Sequence, residues 1–84
     1  MPWTDTIPAD RHTKLMATLD AEGAEHLRYA GGDRGFAAFL LVADAACRRR
    51  IGVSIFDLED ACWRDFYDDG LTPSEALATA RENT

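Results

Sequence analysis

Between Phe36 and Cys47 a single residue, Asp44, carries a charge. The apolar side chains of that stretch run nearly all the way round a helical wheel, so a helix there must be wrapped by neighbours on most sides. The segment closes with Arg48, Arg49 and Arg50 and then Gly52. Cations in a last turn offset the helix dipole, and a glycine just beyond it supplies a left-handed cap. The pattern predicts a central core helix over 33–51, and the flanking segments must provide the faces that cover it.

Upstream, His12, Leu15, Met16, Leu19, Gly23, His26, Leu27 and Ala30 recur at three- and four-residue intervals. That is the spacing of an amphipathic helix, expected over 9–30. Pro8 can open it, with Asp10 complementing the dipole in the first turn. Gly23 lies inside the pattern at a cost of about 1 kcal/mol relative to alanine. The segment is therefore either one kinked helix or two short ones, and Gly31-Gly32 ends it. Residues 1–8 read as an extended arm whose Trp3 and Ile7 can dock on the helices.

Downstream, Val53 to Phe56 is an extended connector, and Asp57 is expected to cap an acidic helix over 57–69 that Gly70 terminates. Thr72-Pro73-Ser74-Glu75 is a start signal for a last helix over 73–82. Its threonine hydroxyl and glutamate carboxylate can satisfy each other's backbone amides, and proline at the first helical position loses nothing by lacking an N–H. The fold class expected is all-α: one domain over 1–84, a compact bundle of about four helices with an N-terminal arm. Its 84 residues lie near the lower end of what folds alone.

Charge divides the chain in two. Residues 1–52 hold seven acidic and seven basic side chains, whereas residues 53–84 hold Asp57, Glu59, Asp60, Asp65, Asp68, Asp69, Glu75 and Glu82 against Arg64 and Arg81. The whole net charge of −6 therefore arises in the second part. Such a surface repels nucleic acid and anionic membrane and attracts basic protein surfaces. Direct nucleic-acid binding is not expected: the three arginines are accounted for by the helix dipole and by Asp44, one turn before Arg48. The longest uncharged apolar run, Phe36 to Ala43, is too short to span a bilayer. With no signal-peptide pattern at the N-terminus, a cytoplasmic protein without membrane association is expected.

No constellation of catalytic residues stands out. His12 and His26 are fourteen residues apart on one helical pattern and cannot share a proton or a metal. Metalloprotease, phosphate-loop and nucleophile-elbow motifs do not occur. Asp57 and Asp60 are near enough to hold a divalent cation weakly, but EF-hand spacing and its glycine are missing. Gly31-Gly32-Asp33-Arg34-Gly35 reads as a helix–helix turn. Cys47 and Cys62 have no zinc spacing and lie in apolar patterns, so buried free thiols are expected. The expectation is a non-enzyme with no catalytic residue, no metal and no cofactor.

The candidate binding residues lie in the acidic segment. Asp60, Arg64 and Asp68 follow one another at four-residue steps, an ion-pair row on one helix face. Asp57, Glu59, Asp60, Asp68 and Asp69 form a candidate docking surface for a basic partner. Trp63 and Tyr67 either close the core over the last helix or stand as an aromatic anchor within the acids. Asp65 falls between Leu58, Ala61 and Cys62 on the wheel and so points inward, where a carboxylate must be paired. Arg50 is its expected partner in a buried pair.

Gly52-Val53-Ser54, Asp57-Leu58 and the string Tyr67-Asp68-Asp69-Gly70-Leu71-Thr72-Pro73-Ser74-Glu75-Ala76 resemble a group of small proteins encoded by actinobacteria, their phages and related mobile elements. The resemblance covers about 30 residues and implies a source rather than an activity. The function expected is an acidic protein-interaction module, encoded by a phage or mobile element, that binds a basic host or phage protein surface. Its sharpest form is a DNA mimic or anti-defence factor. The alternative is a structural or assembly protein, a homodimer or larger, that buries Phe56, Trp63, Tyr67 and the first helix against another copy.

Overall fold

A computed structural model describes residues 2–58 and 62–82. Its α-helices are α1 (Ala9–Glu22), α2 (Ala24–Tyr29), α3 (Arg34–Ile51), α4 (Trp63–Asp68) and α5 (Pro73–Glu82). Among the described residues there is no strand, and the all-α bundle expected from periodicity is what forms. No helix of the described residues is long and apolar enough to cross a membrane.

α3 sits at the centre, as its all-round apolar pattern requires. The Asp33 carboxylate caps its start by accepting from the Phe36 amide at 3.2 Å. Its end is closed by Gly52 at φ 77°, whose amide donates to the Arg48 carbonyl at 3.0 Å. On one side Ala37 and Ala38 pack with Leu19 of α1, and Leu27 of α2 lies against the same cluster. On the other, Phe39, Leu40, Ala43 and Cys47 meet Trp63 and Tyr67 of α4 and Leu77 of α5. Small residues on the first side let α1 and α2 approach closely, while the large side chains fill the second.

Gly23 resolves the two forms expected of the first helical segment in favour of two helices. It is buried, its amide donates to the Leu19 carbonyl, and its own carbonyl accepts from Leu27. A Cβ there would stand 2.7 Å from the Leu19 carbonyl oxygen, so only glycine allows the chain to change direction at this point. The bundle thus has one helix more than the four expected.

The N-terminal arm is not extended. Trp3–Asp5 is a 3-10 turn, and Trp3 meets the Phe39 ring edge-on with centroids 6.3 Å apart. Thr4 is buried, its hydroxyl 3.0 Å from that of Tyr67. Gly35 lies beneath this bond, where a Cβ would come within 2.5 Å of the Tyr67 hydroxyl. The arm is thereby strapped across α3 and α4.

The acidic helix expected over 57–69 is shorter. Ile55–Asp57 forms a 3-10 turn, Leu58 is extended (φ −84°, ψ 128°), and regular α-helix begins only at Trp63. Two features end any run of helix from Asp57: Ser54 and Asp57 cap the 3-10 turn reciprocally, and Ile55 drops fully into the core. Asp57 therefore ends a turn rather than opening a helix. Cys62, just before α4, is exposed, so of the two thiols only Cys47 is buried as expected.

The start of α5 matches its sequence signal. Thr72 donates its amide to the Glu75 carboxylate at 2.9 Å, and Glu75 donates its amide to the Thr72 hydroxyl at 3.1 Å. That backbone donor holds the Glu75 carboxyl below its usual range. We predict that Thr72→Ala destabilises the protein by about 1 kcal/mol, read as a lower urea midpoint at unchanged slope.

Candidate functional site

The one charge in the apolar stretch of α3 gathers four hydrogen bonds from described residues. Asp44 is 4% exposed. One carboxylate oxygen accepts from the Ser54 hydroxyl at 2.9 Å, the Ile55 amide at 3.1 Å and Arg48 Nε at 3.3 Å. The other is 2.8 Å from His26 Nε2. Burial pushes the Asp44 carboxyl up, but the Ile55 amide, His26, Ser54 and Arg48 together hold it below the ordinary carboxylate range.

An ionised carboxylate only accepts, so the proton of that last bond belongs to His26 Nε2. His26 Nδ1 is buried without a partner among the described residues. The Ser54 hydroxyl donates to Asp44 and accepts from the Phe56 amide at 3.2 Å. The carboxylate therefore stands between imidazole and hydroxyl, an order in which the hydroxyl has no hydrogen bond to the imidazole. This is a structural junction that ties α2 and the 54–57 turn to α3. It also forms the floor of an open groove of about 280 Å³ that has Glu22 and Glu25 among its lining residues. Among the described residues no group of three or more His, Cys, Asp or Glu side chains is placed to hold a metal ion.

Sequence reasoning registered Asp44 as the lone charge and named Arg48 as its neighbour, but missed His26, Ser54 and the Ile55 amide. The lone acid in an otherwise apolar helix was the available signal, because a buried carboxylate must collect donors. Asp65 and Arg50, expected to form the buried pair, are both exposed. A wheel drawn from Leu58 assumed an unbroken helix. With α4 starting at Trp63, its inward face is Trp63 and Tyr67, with Phe66 half-buried beside it.

Trp63 and Tyr67 are 3% and 7% exposed, so of their two readings the core one holds. They are not aromatic anchors of the surface. Of the other candidate residues, Asp57, Asp68 and Asp69 are exposed, and Glu59 and Asp60 lie outside the described residues. The ion-pair row is present in its described half, with Arg64 Nε 3.4 Å from Asp68. Arg64 reaches further, bonding Asp33 at 2.9 Å and lying 5.0 Å from the centre of the Phe36 ring. Asp57 turns back to accept from the Ser54 amide at 3.3 Å. Asp65 and Asp69 are exposed and enter no ion pair among the described residues.

Neither the protein-family models, nor the curated proteins, nor the solved structures include a match to this chain.

Removing the Asp44 charge strands the donors around it. We predict that Asp44→Asn costs about 3 kcal/mol. Because the folded carboxyl titrates below its unfolded value, its contribution is complete above that unfolded value, near about pH 3.9, and fades as pH falls through the lower folded value. Urea unfolding of both proteins across the acid range measures this. The gap between them narrows as pH falls below about 4.

Proposed function

We propose that this chain is a small acidic protein-interaction module that binds a basic protein surface through the carboxylates of its second part. The observation that supports the reading best is the exposure of every described acid from Asp57 onward, in a part of the chain that holds all of the net charge of −6. Asp57, Asp68 and Glu75 have local hydrogen-bonding duties, yet all keep a face to solvent. Asp65 and Asp69 are not engaged in that way, so they are the residues to test.

In its sharpest form the module presents these carboxylates to a nucleic-acid-binding site, as a phosphate mimic of phage or mobile-element origin would. The alternative, self-assembly through apolar helix faces, loses most of the surface it needs. Trp63 and Tyr67 are already in the core, and Leu19 of α1 is buried against α3.

The test is capture of partners by the tagged protein from nuclease-treated actinobacterial lysate, eluted with a salt gradient and then with duplex DNA. We predict a basic protein released by moderate salt and absent when Asp65→Lys and Asp69→Lys are combined, with the helical circular-dichroism signal unchanged. Screened charges weaken with salt, whereas apolar contacts hold or tighten. Retention that ignores salt, or recovery of the bait alone at the mass of a dimer, would contradict the proposal.

A further inference from the structure

With Trp63 and Tyr67 in the core, the exposed aromatic edge comes from α2. Tyr29 is 54% exposed, the larger exposure of the two big apolar side chains that remain open to solvent among the described residues, the other being Val53. It is not isolated. Its ring centroid lies 5.2 Å from that of the half-buried Phe56 and 6.4 Å from that of buried Phe36. Phe56 in turn is 5.3 Å from the His26 ring. Tyr29 is thus the outer ring of an aromatic row whose inner members are fixed by the core and by the Asp44 junction.

A carboxylate stands beside this edge. Glu25, one turn before Tyr29 on α2 and so on the same face, is exposed. The same row already carries one cation. Arg64 lies 5.0 Å from the Phe36 ring centre, with Asp33 and Asp68 bonded to its guanidinium group. Ring beneath, carboxylate beside: the Tyr29–Phe56 edge repeats that arrangement, and among the described residues no cation lies over either ring. Arg28 is next in sequence but projects about 100° round the helix.

We propose that the Tyr29–Phe56 edge, beside Glu25, is the docking site for an arginine side chain of a basic partner protein. This inference rests on the function proposed above and specifies its anchor. Arginine is favoured over lysine because a planar guanidinium stacks on the ring while its fork engages a carboxylate, which an ammonium cannot do in one pose.

Nona-arginine and nona-lysine peptides serve as the probes, with affinities measured by calorimetry at about 50 mM salt, where surface charge is weakly screened. The wild-type chain binds nona-arginine more tightly. Tyr29→Ala weakens that binding by about fourfold and changes nona-lysine binding by less than about twofold. Tyr29→Phe keeps the preference. In the unsubstituted protein, the Tyr29 ring resonances shift when nona-arginine is added.

If Tyr29→Ala keeps the wild-type preference, or if the Tyr29 ring resonances stay in place while peptide binds, the docking site is overturned and the acidic-module reading stands. If neither peptide binds the wild-type chain, both are overturned.

Discussion

The Asp44 carboxylate is the interaction on which the rest of the structure depends. A charge placed in the middle of the most apolar helix is costly unless donors converge on it. Those donors come from three directions: His26 from α2, Arg48 from the next turn of α3, and Ser54 and the Ile55 amide from the segment beyond Gly52. Satisfying one acid therefore fixes three elements relative to each other. The Gly23 break lets α2 leave the direction of α1, and α2 then brings its imidazole to the carboxylate. Once Ser54 and Ile55 are held, the chain turns at 55–57, and a helix cannot run straight on from Asp57.

That junction also determines what the acidic part of the chain can offer. Asp57 follows the pinned Ile55 and lies beside Phe56, whose ring packs on both His26 and Tyr29. The acids do two kinds of work. Some satisfy local backbone or ionic partners: Glu75 at the start of α5, Asp57 at Ser54, Asp33 and Asp68 around Arg64. Others, such as Asp65 and Asp69, hold exposed charge. The first kind builds the surface and the second makes it strongly negative. In the proposed docking, an arginine-bearing partner would meet both that charge and an aromatic edge, an arrangement that gives selectivity without a deep pocket.

Much of the fold was legible because its signals are local. The three- and four-residue spacing of α1, the all-round apolar character of α3, the Arg-rich end before Gly52 and the Thr72–Glu75 box each depend on residues within a turn or two. The junction was not legible, because its bonds join residues 10, 11 and 18 positions apart. Asp44 announced that donors were needed without naming them. The error in the register of α4 followed from the same cause. A wheel from Leu58 sends Asp65 inward, whereas the pinned turn at 55–57 ends that continuity and leaves Trp63 and Tyr67 as the inward pair. Tyr29 escaped notice as a surface residue because its neighbour Phe56 is 27 positions away in sequence.

Native-state hydrogen exchange at the Ile55 amide tests the central claim most directly. If Asp44 holds the 54–57 turn to α3, this amide opens only when α3 itself unfolds, and its protection equals that of the Leu40 and Ala43 amides. Exchange of Ile55 at the rate of an exposed amide such as Val53, while Leu40 stays protected, would show that the turn is not held by the carboxylate and would contradict the account.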